Sequence, residues 1–118
     1  MSIYDFDIHA EADEEFDRLI DVNGQGTRQS AYDIGEILAR IKKWVRDGVP
    51  DKKYPLWGAD GITGYSEGEN SVLAFFAVKG KKLVLVKIDW NGNADEQSAA
   101  KDEAKRRAKE WFDEKDDS

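Results

Sequence analysis

The chain has 118 residues, of which 40% are hydrophobic and 11% aromatic, and it carries a formal net charge of −7 at pH 7. This length suits one domain with a single core, and the absence of cysteine excludes disulfide frameworks and thiolate metal sites. The first residues lack the pattern of a secretory signal, and no apolar run approaches the roughly 18 residues that cross a membrane. We therefore expect a soluble cytoplasmic protein.

The charge is unevenly distributed along the chain. Residues 1–21 carry eight acidic side chains and one basic one, and residues 91–118 carry nine acidic and six basic. Residues 22–90 carry eleven basic and eight acidic side chains, so the middle is cationic on balance. Because non-specific affinity for nucleic acid comes mainly from Lys and Arg, the acidic total disfavours such binding without excluding a local basic groove.

A first strand and a first helix are predicted at the beginning of the chain. Tyr4, Phe6 and Ile8 alternate with polar residues, as on a half-buried strand. From Glu11 the apolar spacing becomes helical, and this helix is expected to end near Gly24. His9, the only histidine, would be a polar residue at the end of the strand, so any histidine-based metal site or catalytic triad would have to centre there.

The clearest helical pattern runs from about Arg28 to Asp47 and is expected to pair with the first helix as a helical hairpin. Gly48 and Pro50 stop it. Its last two turns are basic, which has two interpretations: cations stabilised by the negative end of the helix dipole, or a ridge that binds a partner. The candidate partner-binding residues are Arg40, Lys43 and Arg46.

Strands and a final helix are predicted for the second half. Residues 51–61 are expected to form a loop, 62–65 a short strand, and 71–78 and 83–90 an antiparallel hairpin. Phe75 and Phe76 would point to opposite faces of their strand, so a helix on each side or a partner protein must cover them. Alanines at helical spacing predict a last helix over about 95–113 that packs closely on the sheet.

The predicted order is β-α-α-β-β-β-α. It indicates an α+β fold with a small, mainly antiparallel sheet, a helical hairpin and a C-terminal helix. We expect a single domain over residues 1–114, followed by a frayed acidic tail at 115–118.

Four segments carry a resemblance to a known family. They are AEADEEFDRLI at 10–20, ILARIKKWVRDG at 37–48, LWGADGITGYSEGENSVLAFFAVKGKKLVLVKI at 56–88, and KDEAKRRAKEWF at 101–112. In this order they resemble the RelE/ParE superfamily of small bacterial toxins, which includes the YoeB and HigB groups. The resemblance implies the same α+β fold, a role in a toxin–antitoxin system and an antitoxin as protein partner.

If the chain is similar to the family members that cleave mRNA on the ribosome, the resemblance implies arginines that bind the phosphate and an acid or base on the final strand. Here the corresponding turn, 66–70, reads SEGEN. At the final strand Lys87 would contact the phosphate and Asp89 would act as the base, beside Trp90. The alternative for these residues is an exposed strand lysine and an Asp that opens a turn. The substrate-binding candidates are Lys52, Lys53 and Tyr54.

The missing arginines favour one branch of the family, and the acidic first and last helices suggest an alternative outside it. In this respect the chain resembles ParE-like members, which are thought to act on gyrase and need no nuclease residues. If it instead resembles the RNA-cleaving members, it would be an mRNA endoribonuclease, or mRNA interferase. The alternative is a non-catalytic acidic binding or inhibitor protein on the same scaffold, a nucleic-acid mimic. Its carboxylates would include Asp13, Glu14 and Glu15.

No cofactor or metal is predicted. Oxygen-bearing side chains alternate over 89–95 as in a calcium loop, but Ala94 and Ala100 stand where that loop requires glycine and a bidentate Glu. A turn rich in Asn and Gly explains the pattern instead.

Overall fold

The computed structural model describes residues 4–24, 26–48, 55–59, 62–67 and 72–116. Over these residues the chain forms five strands and three helices. In chain order they are β1 (Asp5–Ile8), α1 (Ala10–Ile20), α2 (Arg28–Asp47), β2 (Pro55–Ala59), β3 (Ile62–Glu67), β4 (Val72–Lys79), β5 (Lys82–Trp90) and α3 (Ala94–Asp116). No helix within the described ranges is both long and apolar enough to cross a membrane.

The strands form one sheet in the order β1-β5-β4-β3-β2. The pairs β2–β3, β3–β4 and β4–β5 are antiparallel, and β1 alone runs parallel to its neighbour, β5. The helical hairpin α1–α2 connects β1 to the meander, and α3 follows the last strand. The predicted single α+β domain with a mainly antiparallel sheet is confirmed.

One strand lies where the sequence predicted only a loop. Residues 55–59 form β2, the edge strand next to β3, and β3 itself runs to Glu67 instead of ending at Tyr65. Pro55 and Gly58 hide the strand pattern of β2, because proline and glycine are poor strand formers that an edge strand tolerates. Helix α3 reaches Asp116, and residues 117 and 118 of the predicted tail lie outside the described ranges.

Each face of the sheet has its own apolar core, as the neighbouring phenylalanines predicted. Phe76 lies among residues of α1 and α2, and its ring meets that of Trp44 edge-on at 5.1 Å between centroids. Phe75 lies on the other face with Ala104 and Ala108 of α3. The helical hairpin therefore covers one face and the C-terminal helix covers the other.

The turn between α1 and α2 is fixed by a short hydrogen-bonded unit. Ser30, fully buried, donates its hydroxyl to the carbonyl oxygen of Leu19 at 2.6 Å. It also forms a capping box with Thr27, in which each side chain accepts from the other residue's backbone N–H. Gly26 passes so close to Leu19 that a Cβ would lie 2.2 Å from the Leu19 oxygen.

Gly26→Ala is therefore expected to lower the free energy of unfolding by more than about 1 kcal/mol, because the Cβ meets backbone that cannot move aside alone. Gly35→Ala is the matched control, since Gly35 lies inside α2 and a Cβ added there would have no atom within 4 Å. That change is expected to stabilise by about 0.5–1 kcal/mol through helix propensity. Urea unfolding measures both; equal effects would contradict the close approach.

Candidate functional site

Among the described strands, none pairs with the far half of β5 on its β1 side. β1 pairs only with residues 82–85, and it then turns into α1. Phe76 pairs with Leu85 and Phe75 with Lys87, so Val86 is one extra residue on β5 and forms a β-bulge. In a regular strand the N–H and C=O groups of successive residues point alternately to the two neighbouring strands. The extra residue of a bulge shifts this alternation by one, so each later residue points to the other edge. From Val86 onward, β5 remains paired with β4, and the backbone groups that face the β1 edge need other partners because β1 has ended.

Side chains of α1 and α3 supply those partners. Arg107 donates from Nη1 to the Val86 carbonyl oxygen at 3.0 Å, and the Ile88 N–H donates to Glu15 Oε1 at 3.3 Å. Glu15 and Arg107 thus bind the backbone of β5 where the first strand has ended. The two side chains also join the two helices across this edge of the sheet.

Glu15, Lys87 and Arg107 form a buried ion cluster, which we call the edge cluster. Glu15 Oε2 lies 2.8 Å from Lys87 Nζ, and Arg107 binds both carboxylate oxygens, at 2.7 and 3.3 Å. The three residues are only 7%, 9% and 6% exposed. Glu11 adds a contact of 3.0 Å to Arg107 from the surface. The edge cluster and Glu11 together contain two cations and two carboxylates.

Opposing effects act on the pKa of Glu15. Burial raises it, whereas hydrogen bonds and charge attraction from Arg107 and Lys87 lower it, and the net pKa lies below the usual value for glutamate. Glu15 is therefore ionised at neutral pH. Its carboxylate binds the Lys87 ammonium directly.

The three predicted catalytic residues lie together at the end of β5 but in different environments. Lys87 is buried, contrary to the expectation of an exposed strand lysine, while Asp89 and Trp90 are exposed. Lys87 Nζ lies 3.7 Å from Asp89 Oδ2, and Asp89 Oδ1 accepts from the backbone N–H of Trp90 at 2.8 Å. The substrate-binding candidates Lys52, Lys53 and Tyr54 lie outside the described residues.

A groove runs along the C-terminal half of α2. Its volume is about 650 Å³, and its lining comprises Glu36, Ala39, Arg40, Lys43, Trp44 and Gly48. Two of the predicted partner-binding residues, Arg40 and Lys43, thus share one concave surface. The third, Arg46, is not part of the lining and forms an exposed ion pair with Asp47 at 3.0 Å.

Comparison with solved structures finds this arrangement of strands and helices in two toxin–antitoxin systems. One is the archaeal RelE-RelB complex from Pyrococcus horikoshii OT3, with a TM-score of 0.54 and 18% identity over 78% of this chain and 99% of that chain. The other is the chromosomal ParDE system from P. aeruginosa, with a TM-score of 0.54 and 17% identity over 76% and 98%. The chain has a RelE/ParE-like fold. At these identities the likeness is one of fold, and no protein-family model or curated protein sequence matches the chain.

Within this RelE/ParE-like fold, the structure revises the expectations for two residues near the first helix. His9 is buried at the end of β1, where Nδ1 accepts from the Glu11 N–H at 3.1 Å and so caps α1. Glu15 belongs to the edge cluster, so it is not one of the surface carboxylates that an acidic inhibitor protein would present to its partner. Among the described residues, no group of three or more His, Cys, Asp or Glu side chains is placed to hold a metal ion.

The sequence interpretation missed Glu15 and Arg107, although a signal for both is present. Glu15 falls between Ala12 and Leu19 on the buried stripe of α1, and Arg107 adjoins Ala108 on that of α3. A charged residue at an apolar position of each of two helices indicates a buried pair, since lone buried charges are strongly disfavoured.

Proposed function

We propose that this protein is the toxin-like component of a toxin–antitoxin pair, acting in the cytoplasm by binding its target and not by cleaving RNA. The observation that carries the proposal is the RelE/ParE-like fold, matched over 98–99% of the chains of two toxin–antitoxin structures. By this analogy of fold, a protein antitoxin is the partner.

The surroundings of Lys87 favour binding over nuclease chemistry. A lysine that stabilises a scissile phosphate must present its ammonium to the substrate. Here that ammonium is buried and lies 2.8 Å from Glu15 and 3.7 Å from Asp89, so it is already paired with carboxylates and is not presented to a substrate. These contacts support a ParE-like mode of action, with gyrase as the implied class of target, over the alternative of a ribosome-dependent mRNA interferase.

A second candidate function, a non-catalytic acidic inhibitor, has one observation in its favour. The outer face of α1 exposes Asp13, Glu14 and Asp17 in consecutive turns, which is a carboxylate surface that a basic partner could contact. Such a protein would bind its target without harming the cell that makes it.

Tightly controlled induction of the chain in a bacterial host tests these alternatives. We expect growth arrest by the wild-type protein, and equal arrest by the double variant Asp89→Asn/Trp90→Ala, because both side chains are exposed and the proposed action uses neither as acid or base. Colony formation and the integrity of cellular mRNA are measured, and circular dichroism confirms folding of each variant.

If the folded double variant no longer arrests growth, and mRNA is cleaved in cells that make the wild type but not in cells that make the variant, the protein would act as an interferase and not by binding its target. Unimpaired growth with soluble, folded wild-type protein would overturn the toxin proposal. In that case Asp13→Asn/Glu14→Gln becomes the informative variant, since the acidic-inhibitor function predicts that it weakens capture of a basic partner.

A further inference from the structure

The groove on α2 combines positive charge with an apolar floor. Arg40 and Lys43 lie one helical turn apart at its rim, and Ala39 is exposed between them and Glu36. Trp44 forms the floor; it is 4% exposed, and its ring packs edge-on against Phe76 in the core. A floor anchored in the core keeps its shape when a ligand binds, which reduces the entropy lost on binding.

The charge of the groove contrasts with that of the protein. Among the described residues, its charged lining residues are two cations, Arg40 and Lys43, and one carboxylate, Glu36, on a chain of net charge −7. Lys42 and the Arg46–Asp47 ion pair lie in the same turns of α2, outside the lining. A local basic surface on an acidic protein attracts an acidic ligand and orients it, because repulsion from the rest of the surface disfavours other positions.

We propose that this groove binds an acidic peptide segment of a protein partner, which places carboxylates against Arg40 and Lys43 and an apolar side chain over Ala39. The inference rests on the proposed function in one respect, that a protein partner exists, and it specifies where that partner binds and with what chemistry. A helix or an extended segment inserting one apolar anchor between charged contacts is an established mode of peptide recognition.

A peptide fits the groove better than a nucleic acid does. Affinity for nucleic acid grows with the number of phosphates that Lys and Arg neutralise. Of the residues that the structure describes, two cations line this groove, and Glu36 opposes them on the same wall. An apolar floor with two flanking cations instead matches a short segment that has alternating acidic and apolar residues.

The test uses the full chain labelled with ¹⁵N and three probes: a synthetic peptide of Asp, Glu and Leu, a peptide of the same length with Lys in place of the acidic residues, and an oligouridylate. We expect the acidic peptide to give saturable chemical-shift changes at the amides of residues 36–48 and at the Trp44 indole. Raising the salt concentration should weaken binding, because the charges at the rim are solvent-exposed.

Two variants and a matched control assign the binding to the groove. Arg40→Gln/Lys43→Gln removes two charges and is expected to weaken binding about tenfold, by loss of two partly screened ion pairs. Ala39→Trp fills the groove without changing charge and should also weaken binding. Lys105→Gln/Lys109→Gln removes the same charge from exposed positions of α3 and should change affinity by less than about twofold.

Absence of saturable binding would overturn the inference, as would equal losses in the groove and control variants or tighter binding of oligouridylate at the same residues. The result is independent of growth arrest. Arrest without peptide binding would support the proposed function and exclude the groove as the partner's site. Peptide binding without arrest would support the groove as a peptide site and contradict the toxin proposal.

Discussion

Glu15→Gln is expected to lower the free energy of unfolding by about 3–5 kcal/mol, as measured by urea or thermal unfolding. The substitution keeps the shape of the side chain but removes the only carboxylate within the edge cluster, so the buried Lys87 and Arg107 would face an amide. It also weakens the hydrogen bond that Glu15 accepts from the Ile88 N–H. Two buried cations with insufficient negative charge repel one another and cannot regain full hydration.

Glu14→Gln is the control for this prediction. Glu14 is the preceding residue of the same helix and is exposed, so the identical chemical change should alter stability by no more than about 0.5 kcal/mol. Lys87→Met should cost less than Glu15→Gln, because Arg107 still pairs with Glu15 in that variant. If Glu15→Gln and Glu14→Gln have similar small effects, the edge cluster does not hold β5, α1 and α3 together.

The contribution of Glu15 should depend on pH in a defined direction. Its pKa is lowered in the folded protein, so the folded state favours the ionised carboxylate more than the unfolded state does. The stabilisation is therefore fully present above the ordinary glutamate pKa and is lost as pH falls through the lower, folded-state value. The stability difference between wild type and Glu15→Gln should consequently be largest near neutral pH and shrink below about pH 4.

Local sequence patterns predicted most of the fold, because the apolar residues of most helices and strands recur at the helical or strand spacing. The helix from Arg28 to Asp47 was predicted at its observed bounds, since a continuous apolar stripe ends at a glycine that closes the helix. β2 was missed because residues 55–59 carry no period-2 signal, although β2 pairs with the strand that follows it directly in sequence. The parallel pairing of β1 with β5, in contrast, joins segments far apart in sequence, so it depends on tertiary packing and not on local sequence.

The candidate site was harder to predict than the fold because it depends on one extra residue. Without the bulge at Val86, simple alternation would place Lys87 and Ile88 on the opposite faces from those they occupy. Alternation also gives no hint that β1 ends at Ile8 and leaves the backbone beyond Leu85 to Glu15 and Arg107. Lys87 and Asp89 are two residues apart on one strand, so their proximity is a local feature. The contact of Lys87 with Glu15 is not, because Glu15 is 72 positions away in sequence and is itself bound by Arg107 of α3.

The two-sided architecture makes a second prediction of large effect, at Phe75 and Phe76. Both side chains are almost fully buried, at 2% and 0% exposure, so truncation of either to alanine should cost about 3–5 kcal/mol. The two losses have different structural origins, however. Phe76 packs with Trp44 beneath the helical hairpin, and Phe75 packs beneath α3 with Ala104 and Ala108.

Amide hydrogen exchange distinguishes the two origins. Phe75→Ala should accelerate exchange in α3 relative to that in α2, because the alanines of α3 contribute little apolar area of their own and depend on the ring beneath them. Phe76→Ala should accelerate exchange in α2 relative to α3. Identical exchange patterns in the two variants would mean that the sheet and both helical layers open as one cooperative unit, with the edge cluster joining α1 to α3 tightly enough to remove any independence of the two faces.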